Sequence, residues 1–287
     1  MSEWRSEMKV AFGSTIYKEG LQYAEEFSAS INAQTYKDFD VLLINDNLTE
    51  VEGESICHKF HNPSFLIPSK GHTIFETRTF LLEEARRRGY ELLVIGDFDD
   101  CFSEERIENI VKAVCPQYTF YYHDLRDFSG NLQFKTMPPT TEDVSMILEY
   151  NYLGMGNTAI CVQQLQEDFL KTIYEGNTKV FDWYLYTRIL AEGHKGKFVP
   201  QTNTYYRLHE RNLAGSIAET KESIQKEIQV KLEHYGLLEK RMPELKDWIE
   251  GYKMLEERFQ KGISISTTTM RKGYWWELLE NPKKGEK

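Results

Sequence analysis

Residues 91–100 read ELLVIGDFDD, an unbroken apolar run followed at once by three carboxylates, Asp97, Asp99 and Asp100. The segment LLVI has no polar alternation, so the strand it forms must be covered on both faces, as in a parallel sheet flanked by helices. Carboxylates at the carboxyl end of such a strand lie where open α/β sheets bind ligands. Asp97 and Asp99 are two residues apart and point the same way in extended chain, and a turn brings Asp100 near them. Charges this close repel. A hard divalent cation, Mn2+ or Mg2+, relieves the repulsion through oxygen ligands and can grip a diphosphate at the same time. The same aspartates also suit a helix N-cap before SEERIE (103–108), and from this stretch alone both readings stand.

Working outward, MKVAFGS (8–14) predicts a strand and Glu19 to Ala33 a helix, followed by strands at FDVLLIN (39–45) and SFLIP (64–68). TIFETRTFLLEEARRRG (73–89) has the periodicity of an amphipathic helix closed by Gly89. Beyond Ser103 the order is less regular. A helix is expected near Glu104 to Ala113, a strand near Tyr118 to Tyr122 and a hairpin-like stretch at Ser129, Gly130 and Asn131. The proline loop MPPTTED (137–143) leads into a short helix up to Tyr150, and GMGNTAICV (154–162) is a glycine-hinged loop running into a strand. A helix from Phe181 to Glu192 precedes strands at KFVP (197–200) and TNTYYRLH (202–209). From Ser216 the apolar residues recur at helical spacing, with a second helix after Pro243, so residues 216–287 form a helical extension to a domain spanning 1–215. ISISTTT (263–269) resembles a linker, and Trp275 with Trp276 forms an apolar hook that docks on the core or on another subunit, which leaves a homo-oligomer open.

The chain has 287 residues, enough to bury a substantial core without disulfides. Its formal charge of -10 opposes a nucleic-acid backbone, and no basic patch offsets it. The charged start MSEWRSEMKV does not suit a signal peptide, and the apolar runs are too short to span a membrane. Cys57, Cys101, Cys115 and Cys161 lack zinc spacing and suit free thiols in a reducing compartment, so the expected location is cytoplasmic.

Several separate stretches, in order over residues 8 to 215, resemble the family-2 glycosyltransferases. FGSTIYKEG (12–20) is similar to the family's turn after its first strand, which places Thr15, Tyr17 and Glu19 at the nucleotide. QTYKDFDVLLINDN (34–47) resembles the family's Gln-Thr-Tyr-x-x-Phe run, and Asp46 then corresponds to the carboxylate that contacts the nucleoside. Here Asn45-Asp46-Asn47 stands where the family often has Asp-Asp-Gly. Arg78 matches an arginine facing the donor, although a solvated helix charge is its ordinary role. GDFDD matches the acidic metal motif, with Asp97 and Phe98 at the nucleotide sugar and Asp99 as the metal ligand.

GMGNTAICV resembles the segment lining the sugar and acceptor side. FDWYLYTRILAEG (181–193) resembles the family's acidic residue, Trp and Arg-bearing helix, which makes Asp182 the catalytic base or a helix cap. YYRLHERNLAG (205–215) resembles the segment closing over the donor, with Arg207 and Arg211 as diphosphate contacts and His209 as a metal ligand or an ordinary hydrogen-bonding residue. The resemblance implies an α/β GT-A fold, with a mixed, mostly parallel sheet flanked by helices and a C-terminal helical extension. It implies an inverting transfer from a nucleotide-diphosphate sugar, UDP-linked by preference, to a glycan, lipid-linked or protein acceptor, with Mn2+ or Mg2+.

Three rival readings can be weighed. A haloacid-dehalogenase-like phosphatase carries Asp-x-Asp-x-Thr on its first strand, whereas here the aspartates follow the fourth strand and Cys101 occupies the threonine position. A sugar nucleotidyltransferase needs an arginine in its N-terminal loop, which FGSTIYKEG lacks. A silent sugar-nucleotide-binding protein would not need both Asp99 and Asp182.

Overall fold

The computed structural model describes residues 8–69, 73–176, 178–208, 219–268 and 271–283. Four parallel strands form its first half: β1 (Val10–Tyr17), β2 (Asp40–Asp46), β3 (Ser64–Pro68) and β4 (Leu92–Ile95). Helices α1 (Ala24–Asn32), α2 (Glu50–Cys57) and α3 (Ile74–Arg87) connect them in turn. After β4 come β5 (Cys101–Phe102), α4 (Arg106–Ala113), β6 (Phe120–Arg126), β7 (Thr140–Thr141) and β8 (Thr158–Ile160). Then follow α5 (Glu167–Ile173), α6 (Phe181–Ala191) and β9 (Gly196–Tyr205), and finally the helical pair α7 (Lys221–Leu238) and α8 (Lys246–Gln260).

The strands make one sheet in the order β3-β2-β1-β4-β8-β6-β9-β5, with β7 on β9. β8 runs antiparallel to both β4 and β6, so the sheet is mixed. Side chains alternate across the pleat. Val41, Leu43, Leu92 and Val94 therefore enter one core with Phe12, Phe27 and Ile110, while Leu42, Ile44, Leu93 and Ile95 enter the other with Phe75 and Trp183. Both faces are buried, which is why these runs carry no polar residues. The second core continues into the C-terminal helices through Ile228, Tyr235, Leu245 and Tyr252. Tyr235 donates to the carbonyl of Leu148 at 2.6 Å, and His234 stacks on Trp183 with ring centroids 4.2 Å apart. The hook docks within the chain, where Asn151 and Trp275 exchange backbone hydrogen bonds of 2.9 Å.

Several boundaries differ from the sequence expectation. Lys18–Tyr23 forms a 3-10 turn, and the α-helix begins only at Ala24. KFVP and the first four residues of TNTYYRLH belong to one strand, β9, which ends at Tyr205 and in which Gln201 has φ 58° and the register against β6 shifts. The short helix before Tyr150 reduces to a 3-10 turn at Val144–Met146. Among the described residues, no helix is long and apolar enough to cross a membrane.

Candidate active site

The parallel strands reverse direction of winding at β1, which lies between β2 and β4. Such a switch point leaves a crevice at the carboxyl ends of the strands. Tyr17 ends β1, Asp46 ends β2 and Asp97 follows β4, so three separate segments deliver polar side chains to one place. The crevice holds a cavity of about 390 Å³ lined by Thr15, Tyr17, Glu19 and Asp46 on one side and by Asp97 and Asp99 on the other. Ile74, Thr77 and Arg78 close it from the first turns of α3. That end of the helix is fixed by a capping box in which Thr73 accepts from the Glu76 N–H and Glu76 accepts from that of Thr73.

A second, smaller chamber of about 160 Å³ adjoins the first and shares Arg78, Asp97 and Tyr206 with it. Its walls include Gly154, Gly156 and Asn157 from the loop before β8, Lys179, Asp182 from α6, and Trp275 and Trp276 from the hook. The N-cap of α6 is Val180, so Asp182 does not cap the helix and instead sits in its first turn, accepting from the Trp183 N–H at 2.9 Å. The N-cap of α4 is Glu105, which likewise removes the capping reading of Asp99 and Asp100.

Arg78 donates to Asp97 at 3.0 Å. Burial pushes the Asp97 carboxyl above the ordinary carboxylate range, Arg78 opposes that shift and Asp99 adds to it. Asp100 is raised further by burial and by Asp97 and Asp99. Its Oδ2 meets no hydrogen-bond donor among the described residues. Burial also raises Asp182, again against the pull of Arg78. Beneath the turn lies Arg106, fully buried, donating to the carbonyls of Ile95 and Gly156 and, through Nε, to His123 at 3.2 Å. Burial lowers Arg106 to about 9 while Asp100 and Asp97 hold it up, so this guanidinium is a counter-charge under the acidic turn.

The turn has the features of a cation site. Its donors are carboxylate oxygens, the ligands of hard divalent ions, and Asp100 Oδ2 has no hydrogen-bond donor among the described residues. A Cβ built on Gly156 would lie 2.9 Å from Asp97 Oδ2 and 3.2 Å from Asp100 Oδ2, so glycine keeps the space beside both oxygens open. Among the described residues, no group of three or more His, Cys, Asp or Glu side chains is arranged to hold a metal ion, so the protein alone offers at most one or two carboxylates here.

Two expected contacts are placed elsewhere. Phe98 is fully buried and packs edge-on against Phe27 and Tyr17, with centroids 5.1 Å and 5.9 Å apart, within a turn closed by the Asp100 N–H donating to the Asp97 carbonyl at 3.2 Å; it supports the turn from the core side and lines neither the larger nor the smaller chamber. Arg207 braces the turn from outside: its N–H donates to Asp100 at 2.8 Å, its Nε to the Asp99 carbonyl at 2.8 Å and its Nη2 to Glu26 at 2.6 Å, while its guanidinium lies over Tyr23 and Phe128. His209 and Arg211 lie outside the described residues. Sequence reasoning missed Arg106, Thr77, Tyr206 and Lys179, and it did not bring Trp275 and Trp276 to the site.

No protein-family model matches the chain, and neither does any curated protein. Solved structures do. The mannosyltransferase PcManGT from Pyrobaculum calidifontis, in complex with GDP-Man and Mn2+, matches with a TM-score of 0.51 at 14% identity over 79% of this chain. This chain spans 63% of that protein's length. S. aureus TarS 1-349 in complex with UDP-GlcNAc matches with a TM-score of 0.54 at 14% identity, over 88% of this chain and 73% of that one. The same fragment in complex with UDP matches at 12% identity and a TM-score of 0.54, over 95% and 100%. The chain has the α/β GT-A fold of these glycosyltransferases.

Proposed function

We propose that this GT-A chain is a metal-dependent glycosyltransferase that moves a sugar from a nucleoside-diphosphate sugar, UDP-linked by preference, to an acceptor hydroxyl with inversion. The observation that carries the proposal is the pair of adjoining chambers with Arg78, Asp97 and Tyr206 at their junction and a further carboxylate, Asp182, that lines only the smaller one. The larger chamber takes the nucleotide, with Asp46 as the acceptor for base or ribose donors and Tyr17 beside it. Arg78 and the amino end of α3 favour the diphosphate, since the helix dipole and a guanidinium both stabilise negative charge there. The solved structures that share this fold are described with GDP-Man and Mn2+, with UDP-GlcNAc and with UDP.

One or two of the carboxylates of Asp97, Asp99 and Asp100 would hold a divalent cation together with the diphosphate, and the cation would stabilise the charge that grows on the departing group. An incomplete carboxylate set is the usual way to hold Mg2+ together with substrate phosphates. Arg106 and Arg207 keep these carboxylates in place when the cleft is empty, one from below and one from outside. Asp182 accepts the proton of the acceptor hydroxyl as its oxygen attacks the anomeric carbon, and the bond from that carbon to the diphosphate oxygen breaks. Its raised affinity for protons brings it closer to the pH at which it works.

The test is release of nucleoside diphosphate from UDP-, GDP- and dTDP-sugars, followed chromatographically with Mn2+, Mg2+ or chelator. Metal-dependent release of UDP with formation of a glycoside is expected. Release of inorganic phosphate instead would establish the phosphatase reading.

A further inference from the structure

The smaller chamber has a wall that the transferase chemistry does not require. Trp275 and Trp276 reach it from a position more than ninety residues beyond Asp182 in sequence. Around them Tyr274, Leu278 and Leu279 are buried, while Trp276 keeps part of its surface open. Its backbone is in the left-handed region at φ 62°, a conformation unfavourable to a bulky residue. Strain of this kind persists where the surroundings enforce it, and it gathers at binding sites.

The enforcement is visible. The Glu277 carboxylate accepts the backbone N–H groups of Lys272, Gly273 and Tyr274 at 2.8, 2.8 and 3.1 Å. Tyr274 donates to the Thr136 carbonyl at 2.8 Å, and Phe134 packs edge-on against Trp275 with centroids 5.1 Å apart. Glu227 accepts from the N–H groups of Leu278 and Leu279 on the far side. The hook is therefore held in a fixed pose.

We propose that Trp276 is the platform on which the acceptor's terminal pyranose stacks, so that the C-terminal segment completes the acceptor subsite beside Asp182. The proposal rests on the transferase reading above. A pyranose has one face of C–H groups that suits an indole, and its hydroxyls can meet Lys179 along the same walls. The backbone on either side of Trp276 is fixed, and an aromatic side chain has only two torsions to order, so little freedom is lost when a weakly held sugar binds.

The experiment is a ligand-observed NMR titration of the full-length protein, loaded with UDP and Mn2+, using methyl glycosides of the common hexoses and N-acetylhexosamines. The variants are Trp276→Gly, which suits the left-handed backbone, and Trp276→Phe, which keeps an aromatic face. Nucleotide affinity is measured on each to confirm folding. At least one glycoside should bind the wild type, with Trp276→Gly weaker by about tenfold and Trp276→Phe within about threefold, the range expected for loss or retention of one aromatic contact. Equal glycoside affinity in Trp276→Gly, or a nucleotide-bound wild type that binds no glycoside, overturns the platform while leaving the donor site intact. Absence of nucleotide binding in the wild type refutes the transferase reading instead.

Discussion

Replacement of Gly156 by alanine places one methyl group between the two carboxylates of the acidic turn. The built Cβ lies 2.9 Å from Asp97 Oδ2 and 3.2 Å from Asp100 Oδ2. Carbon and oxygen in van der Waals contact keep roughly 3.3 Å or more, so the nearer oxygen must retreat by about half an ångström. Neither oxygen has easy freedom to do so. Asp97 is held by Arg78 at 3.0 Å, and Asp100 accepts the Arg207 N–H at 2.8 Å. Overpacking of this size costs about 1–3 kcal/mol. Gly156 is not among the glycines with positive φ, so the backbone itself accepts alanine. If the cost falls on the cation-bound state, UDP affinity with Mn2+ drops by roughly five- to a hundredfold, since 1.4 kcal/mol is a factor of ten. Isothermal titration of UDP into Gly156→Ala with Mn2+ and then with EDTA separates the two arms. A large loss with metal and little change without it is expected. Equal affinity for UDP in variant and wild type in the presence of Mn2+ would refute the claim that the space beside these oxygens is the cation site.

Three further outcomes follow from the same geometry. Asp182→Asn should keep UDP binding by titration and lose about 10²–10⁴-fold in kcat, the range for removal of a positioned base. Arg78 lowers the proton affinity of Asp182, so in Arg78→Met that affinity rises, and the acidic limb of the kcat/KM profile should move to higher pH, read against donor concentrations that saturate the variant. Burial, with Lys231 adding to it, lowers His234 to about 3. It is therefore neutral in the fold while its unfolded counterpart gains a proton near ~6.5. Stability is then full above that value and falls as pH drops towards the folded value. Between pH 7 and 5, wild type should lose roughly 2 kcal/mol more than His234→Phe in urea unfolding, from about 1.4 kcal/mol per pH unit once the unfolded group titrates.

The parts of the fold legible in the sequence are those fixed by short-range pattern. VLLI and LLVI announce strands buried on both faces, and Asp97 just after the second of them marks the ligand end of the sheet. Two short helices, α2 and α5, were not anticipated. In α2 the apolar periodicity is weak, though Thr49 and Glu52 already spelled its capping box. Phe98 was misplaced because the motif was carried over whole, whereas the turn after β4 directs its ring into the core against Phe27 and Tyr17. Arg106 was hidden for a different reason. In a helix it resembles any solvated cation, and the carbonyls that hold it, from Ile95 and Gly156, are 11 and 50 residues distant. The approach of Trp276 to Asp182 is a property of tertiary packing, set by the carboxylates of Glu277 and Glu227, and no local pattern encodes it.

In the proposed mechanism a cation is the centre of the chemistry, and anomalous scattering would locate it directly. Crystals grown with UDP and Mn2+ and measured at the manganese edge should give one peak in the crevice beyond β4, within bonding distance of a carboxylate of Asp97, Asp99 or Asp100 and of the diphosphate. Ordered UDP in that crevice with no manganese between it and these aspartates would contradict the assignment.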